Sequence, residues 1–83
     1  MELVFSEHAE QVIVEREISL EWIESVLNEP ILRVSDGRDP DVELFYRRIP
    51  AFGDRVLRVV VNTNVAPWKV VSVFFDRNAG GRL

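Results

Sequence analysis

Cysteine is absent from the 83 residues, so no disulfide framework staples this chain, and thiolate metal sites and thiol nucleophiles are excluded with it. Histidine occurs once, at His8, which leaves a transition-metal centre without its usual donors. Glycine is confined to Gly37, Gly53, Gly80 and Gly81, a spacing that cannot form a glycine-rich phosphate loop. No purely apolar stretch exceeds three or four residues, against the roughly 20 that a membrane-spanning helix needs. Met1-Glu2-Leu3-Val4 carries neither a basic region nor an apolar run of signal-peptide length, so the expected setting is the cytoplasm of a bacterial cell, with no membrane partner. Long polar or low-complexity tracts, internal repeats and linkers are also missing.

What is present belongs to an ordinary globular domain. Hydrophobic residues make up 47% and charged residues 29%, and the length suits one hydrophobic core, so residues 1–83 are expected to fold as a single domain by packing alone. The net charge of −4 argues against a uniformly basic nucleic-acid-binding protein. Its distribution is uneven. Residues 1 to 45 hold 3 basic and 12 acidic side chains, whereas residues 46 to 83 hold 7 basic and 2 acidic ones. If the halves form separate layers, the basic one could meet phosphate or an acidic partner, or the two could simply attract each other.

The spacing predicts an α+β fold: a short N-terminal strand, two helices, then an antiparallel β-meander of about four strands. Leu3-Val4-Phe5 is β-prone, and Ser6 can cap a helix whose stripe is Ala9, Val12, Ile13 and Arg16, ending near Glu17. Ser19 repeats the capping signal. Leu20, Ile23, Val26 and Leu27 should form the core face of the second helix, with Trp22 beside them and Pro30 beyond its end. Residues 31–35, 44–49, 56–62 and 68–75 read as strands joined by short turns, hence as antiparallel neighbours. In the third of these Leu57, Val59 and Val61 share one face, so Arg58 emerges among Val56 and Val60 and requires a partner or a ligand. Strict alternation in the last strand sets Val71, Val73 and Phe75 against Val70, Ser72 and Phe74, both faces being largely apolar. Residues 78–83 lack any pattern and read as a frayed tail.

Eight residues have side chains suited to chemistry. His8 lies in the first turn of the first helix, where the dipole favours the neutral ring and a role as proton carrier, the alternative being a ring that bonds backbone or packs on the sheet. Arg16 follows about two turns later on the same face, as a phosphate ligand or as a structural cation at the helix end. Tyr46, Arg58 and Arg77, with Arg47, Arg48 and Lys69, place a phenol and several cations on adjacent strands. That set could grip an RNA backbone, or form a solvated rim. Alternation puts Arg47 and Arg48 on opposite faces, so only one of them can join a given site. Asp36, Asp39, Asp41 and Glu43 lack the order of a calcium loop and read as a solvated turn.

Phe5-Ser6-Glu7-His8-Ala9, Glu15-Arg16-Glu17-Ile18 and Asn28-Glu29-Pro30 resemble the Ser-x-His-Ala, Glu-Arg-x-Ile and Asn-x-Pro motifs of an uncharacterised family of small bacterial proteins. Tyr46-Arg47-Arg48-Ile49, Val56-Leu57-Arg58-Val59-Val60-Val61 and the run from Val70 to Arg77 are similar to its strand motifs. That family resembles the RelE/ParE toxin-like superfamily, with a helix-helix-strand order similar to BrnT-type toxins. The resemblance implies a toxin-like component of a toxin–antitoxin pair, with an antitoxin as partner, RNA as a target and a metal-free endoribonuclease activity that needs no cofactor. It places His8, Arg16, Tyr46, Arg58 and Arg77 on motif positions, as the expected catalytic set. The acidic overall charge departs from the basic character usual in RNA-cutting members. The alternative expectation is a non-catalytic module on the same scaffold that binds a protein or a second copy of itself; a ParE-like surface acting on a topoisomerase is a third.

Overall fold

A computed structural model describes residues 1–83, the side chain of Arg82 aside. It holds strand β1 (Leu3–Phe5), helices α1 (Glu7–Arg16) and α2 (Leu20–Asn28), and strands β2 (Leu32–Ser35), β3 (Val42–Ile49), β4 (Arg55–Asn62) and β5 (Trp68–Phe75). Single turns of 3-10 helix follow β3, at Pro50–Phe52, and β5, at Ala79–Arg82. The fold class is therefore α+β, as the spacing predicts. The strands form one mixed sheet in the order β1-β5-β4-β3-β2, in which β2 to β5 are the antiparallel meander and β1 joins β5 in parallel.

Local chemistry sets the helix limits. The Ser6 hydroxyl accepts a hydrogen bond from the Ala9 amide at 3.0 Å, and Glu7 and Glu10 lie at the positive end of the α1 dipole. Glu17 stops α1 by turning left-handed at φ 52°, which lets the Ile18 amide donate to the Ile13 carbonyl at 3.0 Å. Ser19 caps α2 by accepting from Glu21 at 3.1 Å. At the other end of α2, the Arg47 guanidinium reaches off the sheet to donate to the Glu29 carbonyl at 2.6 Å.

The core lies between the two helices and one face of the sheet. Phe45, Ile49, Leu57, Val59, Val61, Val70 and Val73 are buried there against Ala9, Ile18, Ile23, Val26 and Leu27. Leu20 does not join them: it is 53% exposed, beside Leu3 and Phe5, because α2 begins where the sheet ends at β1 and its first turn overhangs that edge. The alternation expected in β5 is also corrected. Val60 pairs with Ser72 but Val61 pairs with Val70, which leaves Val71 as the extra residue of a β-bulge. The bulge resets the pleat, so Val70 and Val73 both reach the helix-side core. Ser6 takes up the carbonyls at this irregularity, its amide donating to Val70 at 2.9 Å and its hydroxyl to Val71 at 3.0 Å.

A smaller cluster on the other sheet face corrects the reading of 78–83 as a frayed tail. Ala79 is buried against Tyr46 and Val56, with Leu83 packed beside them. The Asp76 carboxylate accepts from the Asn78 and Ala79 amides at 2.9 and 3.2 Å, and Arg48 donates to the Gly80 carbonyl at 2.8 Å. These polar ties hold a segment that has no apolar periodicity to announce it.

Acidic side chains outside the helices are used locally. Arg33 lies over Phe45 and grips Glu43 with two nitrogens, at 2.7 and 3.0 Å; that fork and a bond from Thr63 hold the Glu43 carboxyl down at about 2. Asp36 and Asp39 accept from the amides two residues on, as turn residues do. Among the described residues no group of three or more His, Asp or Glu side chains is placed to hold a metal ion, and no helix is long and apolar enough to cross a membrane.

Because the Ser6 hydroxyl serves both the helix and the bulge, Ser6→Ala should cost about 1–2 kcal/mol, against about 1 kcal/mol or less for Ser19→Ala at its solvent-exposed cap. Urea unfolding of the two variants beside the wild type measures the difference; equal losses would mean that the bond to Val71 contributes nothing.

Candidate functional site

Helix α1 packs along β5, and a cleft of about 510 Å³ opens where the two meet the start of β4. The helix lines one wall with His8, Val12, Glu15 and Arg16, residues that the 3.6 period stacks along one side. The other wall carries Phe75, Arg77, Phe52 and Arg55. Phe52 is delivered by the 3-10 turn that Pro50 begins, and Gly53 and Asp54, both left-handed at φ 65° and 57°, return the chain into β4 at Arg55. The floor is aromatic: the Phe52 ring lies 4.8 Å from Phe75 and 5.4 Å from Trp22, and the Arg55 guanidinium sits 4.9 Å over Phe52.

Three of the chain's cations line this cleft. Among the described residues, no carboxylate lies within 4.0 Å of the guanidinium of Arg16, Arg55 or Arg77. All three are exposed, as is His8. Three cations without a paired anion, held beside an imidazole and an aromatic floor, suit a ligand with accessible negative charge such as a phosphate ester. Glu15 is the one carboxylate on the walls. A second cleft of about 370 Å³ adjoins the first, shares Arg55, Phe75 and Arg77 with it, and is bounded on its far side by Arg48 and Asp54.

The five residues that the resemblance implies as the catalytic set do not meet at one place. His8, Arg16 and Arg77 line the first cleft, while Tyr46 and Arg58 lie on the opposite face of the sheet as a cross-strand pair of β3 and β4. Tyr46 is buried, 3% exposed, beneath Ala79. Arg58 has the partner that its apolar setting demands: its guanidinium lies 3.5 Å from the Asp76 carboxylate and 4.8 Å over the Phe74 ring. Its Nε is buried without a hydrogen-bond partner. Arg47 and Arg48 do fall on opposite faces, one capping α2 and the other holding the C-terminal turn. Sequence reasoning passes over Arg55 and Phe52. The only signal for them is the Pro50-to-Asp54 turn, whose proline start and glycine stop bring Phe52 from the turn and Arg55 from the first position of β4 onto the cleft wall.

Arg58 and Asp76 are both more than two-thirds buried, and Asp76 also organises the turn that carries Ala79. Arg58→Met should therefore lower stability by about 1–3 kcal/mol, because the carboxylate loses its counter-charge. It should also speed amide exchange at Ala79. Urea unfolding with hydrogen exchange checks both, and unchanged exchange at Ala79 would contradict the linkage.

The chain belongs to the DUF4258 family, described as a domain of unknown function, whose family model matches residues 5–75. The match takes in His8, Arg16, Phe52 and Arg55 and ends before Arg77. Neither the curated proteins nor the solved structures compared with the chain give a match.

Proposed function

We propose that this DUF4258 domain is a toxin-like component of a bacterial toxin–antitoxin pair, of the RelE/ParE kind, and that it cuts RNA without a metal. The observation that carries the reading is the cleft lined by His8, Arg16, Arg55 and Arg77, three of them guanidiniums with no carboxylate partner among the described residues. RNA supplies its own nucleophile, the 2′-hydroxyl, so the protein has only to move a proton and stabilise charge. In the proposed step His8 takes the 2′-hydroxyl proton as O2′ bonds to the adjacent phosphorus. The bond from phosphorus to O5′ breaks, and the leaving oxygen takes a proton from water. The products are a 2′,3′-cyclic phosphate and a 5′-hydroxyl end. Arg16, Arg55 and Arg77 hold the non-bridging oxygens as charge builds on them, and the Phe52 ring offers a face on which a base can stack.

In this reading Tyr46 and Arg58 support the sheet and do not touch the phosphate, a narrower catalytic set than the motif positions imply. The acidic outer surface of the helices, with Glu7, Glu10, Glu17 and Glu21 exposed, would repel RNA everywhere except at this end of the sheet. A second reading, a non-catalytic module that holds an antitoxin-like protein or another copy of the chain, is favoured by a different surface. Opposite the helices, Phe74 and Val34 are exposed beside the half-buried Leu44 and Val60.

Induced expression of the wild type beside His8→Ala and Arg55→Gln, following growth and the integrity of total RNA, separates the two. The ribonuclease reading expects growth arrest with RNA cleavage in the wild type, with activity lowered about 10²–10⁴-fold by His8→Ala and by a smaller factor by Arg55→Gln, both variants staying folded. Normal growth with intact RNA would turn the assignment to the binding module.

A further inference from the structure

The ribonuclease reading uses only the first cleft, yet the second lies against it with a common wall of Arg55, Phe75 and Arg77. Beyond that wall stands Arg48, whose guanidinium is fixed from two sides: it donates to the Asp54 carbonyl at 3.1 Å and to the Gly80 carbonyl at 2.8 Å. Both acceptors are neutral, so they orient the fork and leave its charge in place. The carboxylate nearest to it is that of Asp54, 4.0 Å away on a side chain that is 63% exposed and screened by water. Asp76, the other carboxylate on this cleft, is already engaged by Arg58 and by two turn amides. The result is a second pre-oriented cation beside a pair of guanidiniums that border both clefts.

Resting on the RNA reading, we infer that the two clefts are successive phosphate subsites of one groove. The scissile phosphate lies between His8 and the shared arginines, and a neighbouring phosphate of the same strand lies between the shared arginines and Arg48. Asp54 opposes the second phosphate and holds its contribution down. The ligand is therefore a polynucleotide strand with at least two consecutive phosphates, and a mononucleotide fills only half of the site. Arg48 is a binding residue for the longer strand, with no part in the chemistry at the first phosphate.

The test uses the full chain and 2′-O-methyl oligoribonucleotides, which lack the nucleophile and cannot be cut, carrying one or two phosphates. Binding is measured by titration at several salt concentrations. The wild type should bind the two-phosphate ligand several-fold more tightly, with the salt slope steeper by about 0.7, the value for one further phosphate contact on a single strand. Arg48→Gln should remove that gain and leave the one-phosphate affinity unchanged, whereas Arg55→Gln should weaken both ligands. Since Arg48 also holds the C-terminal turn, Asp54→Asn serves as a second variant. Asparagine tolerates the left-handed backbone at this position, and the change should tighten the two-phosphate ligand alone. Equal wild-type affinity for the two ligands, absence of binding, or an Asp54→Asn variant that binds both ligands as the wild type does would overturn the inference. Cleavage of RNA is read separately, so a groove without catalysis and catalysis without a second subsite are distinct results.

Discussion

One hydroxyl ties the helical layer to the sheet. Ser6 caps α1 by accepting from the Ala9 amide and donates in turn to the Val71 carbonyl, while its own amide bonds to Val70. Those contacts fix where α1 starts, which way it runs over β5, and where the bulge in β5 falls. Because of the bulge, Val70 and Val73 both enter the core; because of the cap, His8 stands two residues into the helix and beside β5. The wall of the candidate site and the packing beneath it share this constraint, so the position of His8 belongs to the fold as a whole and not to a mobile loop.

The arginines divide by what they touch. Arg33 is engaged by Glu43, Arg47 by the end of α2, and Arg58 by Asp76 and two aromatic rings. Each of these cations solves a local problem in a small domain that has no disulfide to brace it: an edge strand, an open helix end, an apolar sheet face. Arg16, Arg55 and Arg77 have no carboxylate within 4.0 Å among the described residues and line one cleft. A structure in which some guanidiniums are fully engaged and three neighbouring ones are not directs attention to the latter, since an unpaired cation cluster repels itself unless an anion joins it.

Much of the fold is legible in the residues, and the parts that are not have particular causes. Ser6, Ser19, Glu17 and Pro30 mark the helix ends because capping is local chemistry, and Arg58 is correctly marked as needing a partner because strand alternation is local geometry. The bulge at Val71 is hidden, since its neighbours are all apolar and either face would accept them. Leu20 misleads because its helical phase is right while the sheet beneath it has already ended. The C-terminal turn is held by Asp76 and Arg48 through backbone bonds, which leave no pattern in hydrophobicity. The candidate site shows the same limit. His8 and Arg16 can be joined from helical spacing, but only the register of β3 with β4 separates Tyr46 and Arg58 from them, and only the reversal at Gly53 and Asp54 brings Arg55 in.

The central claim is that phosphate meets this protein at the α1, β4 and β5 end of the helix-covered face. Amide and arginine side-chain NMR spectra of the full chain, recorded while a 2′-O-methyl dinucleotide is titrated in, test it most directly. The account predicts saturable shifts at His8, Arg16, Arg55 and Arg77, with Val34, Leu44 and the Arg58 side chain on the opposite face left in place. Shifts confined to that opposite face, or no saturable shifts at all, would contradict it.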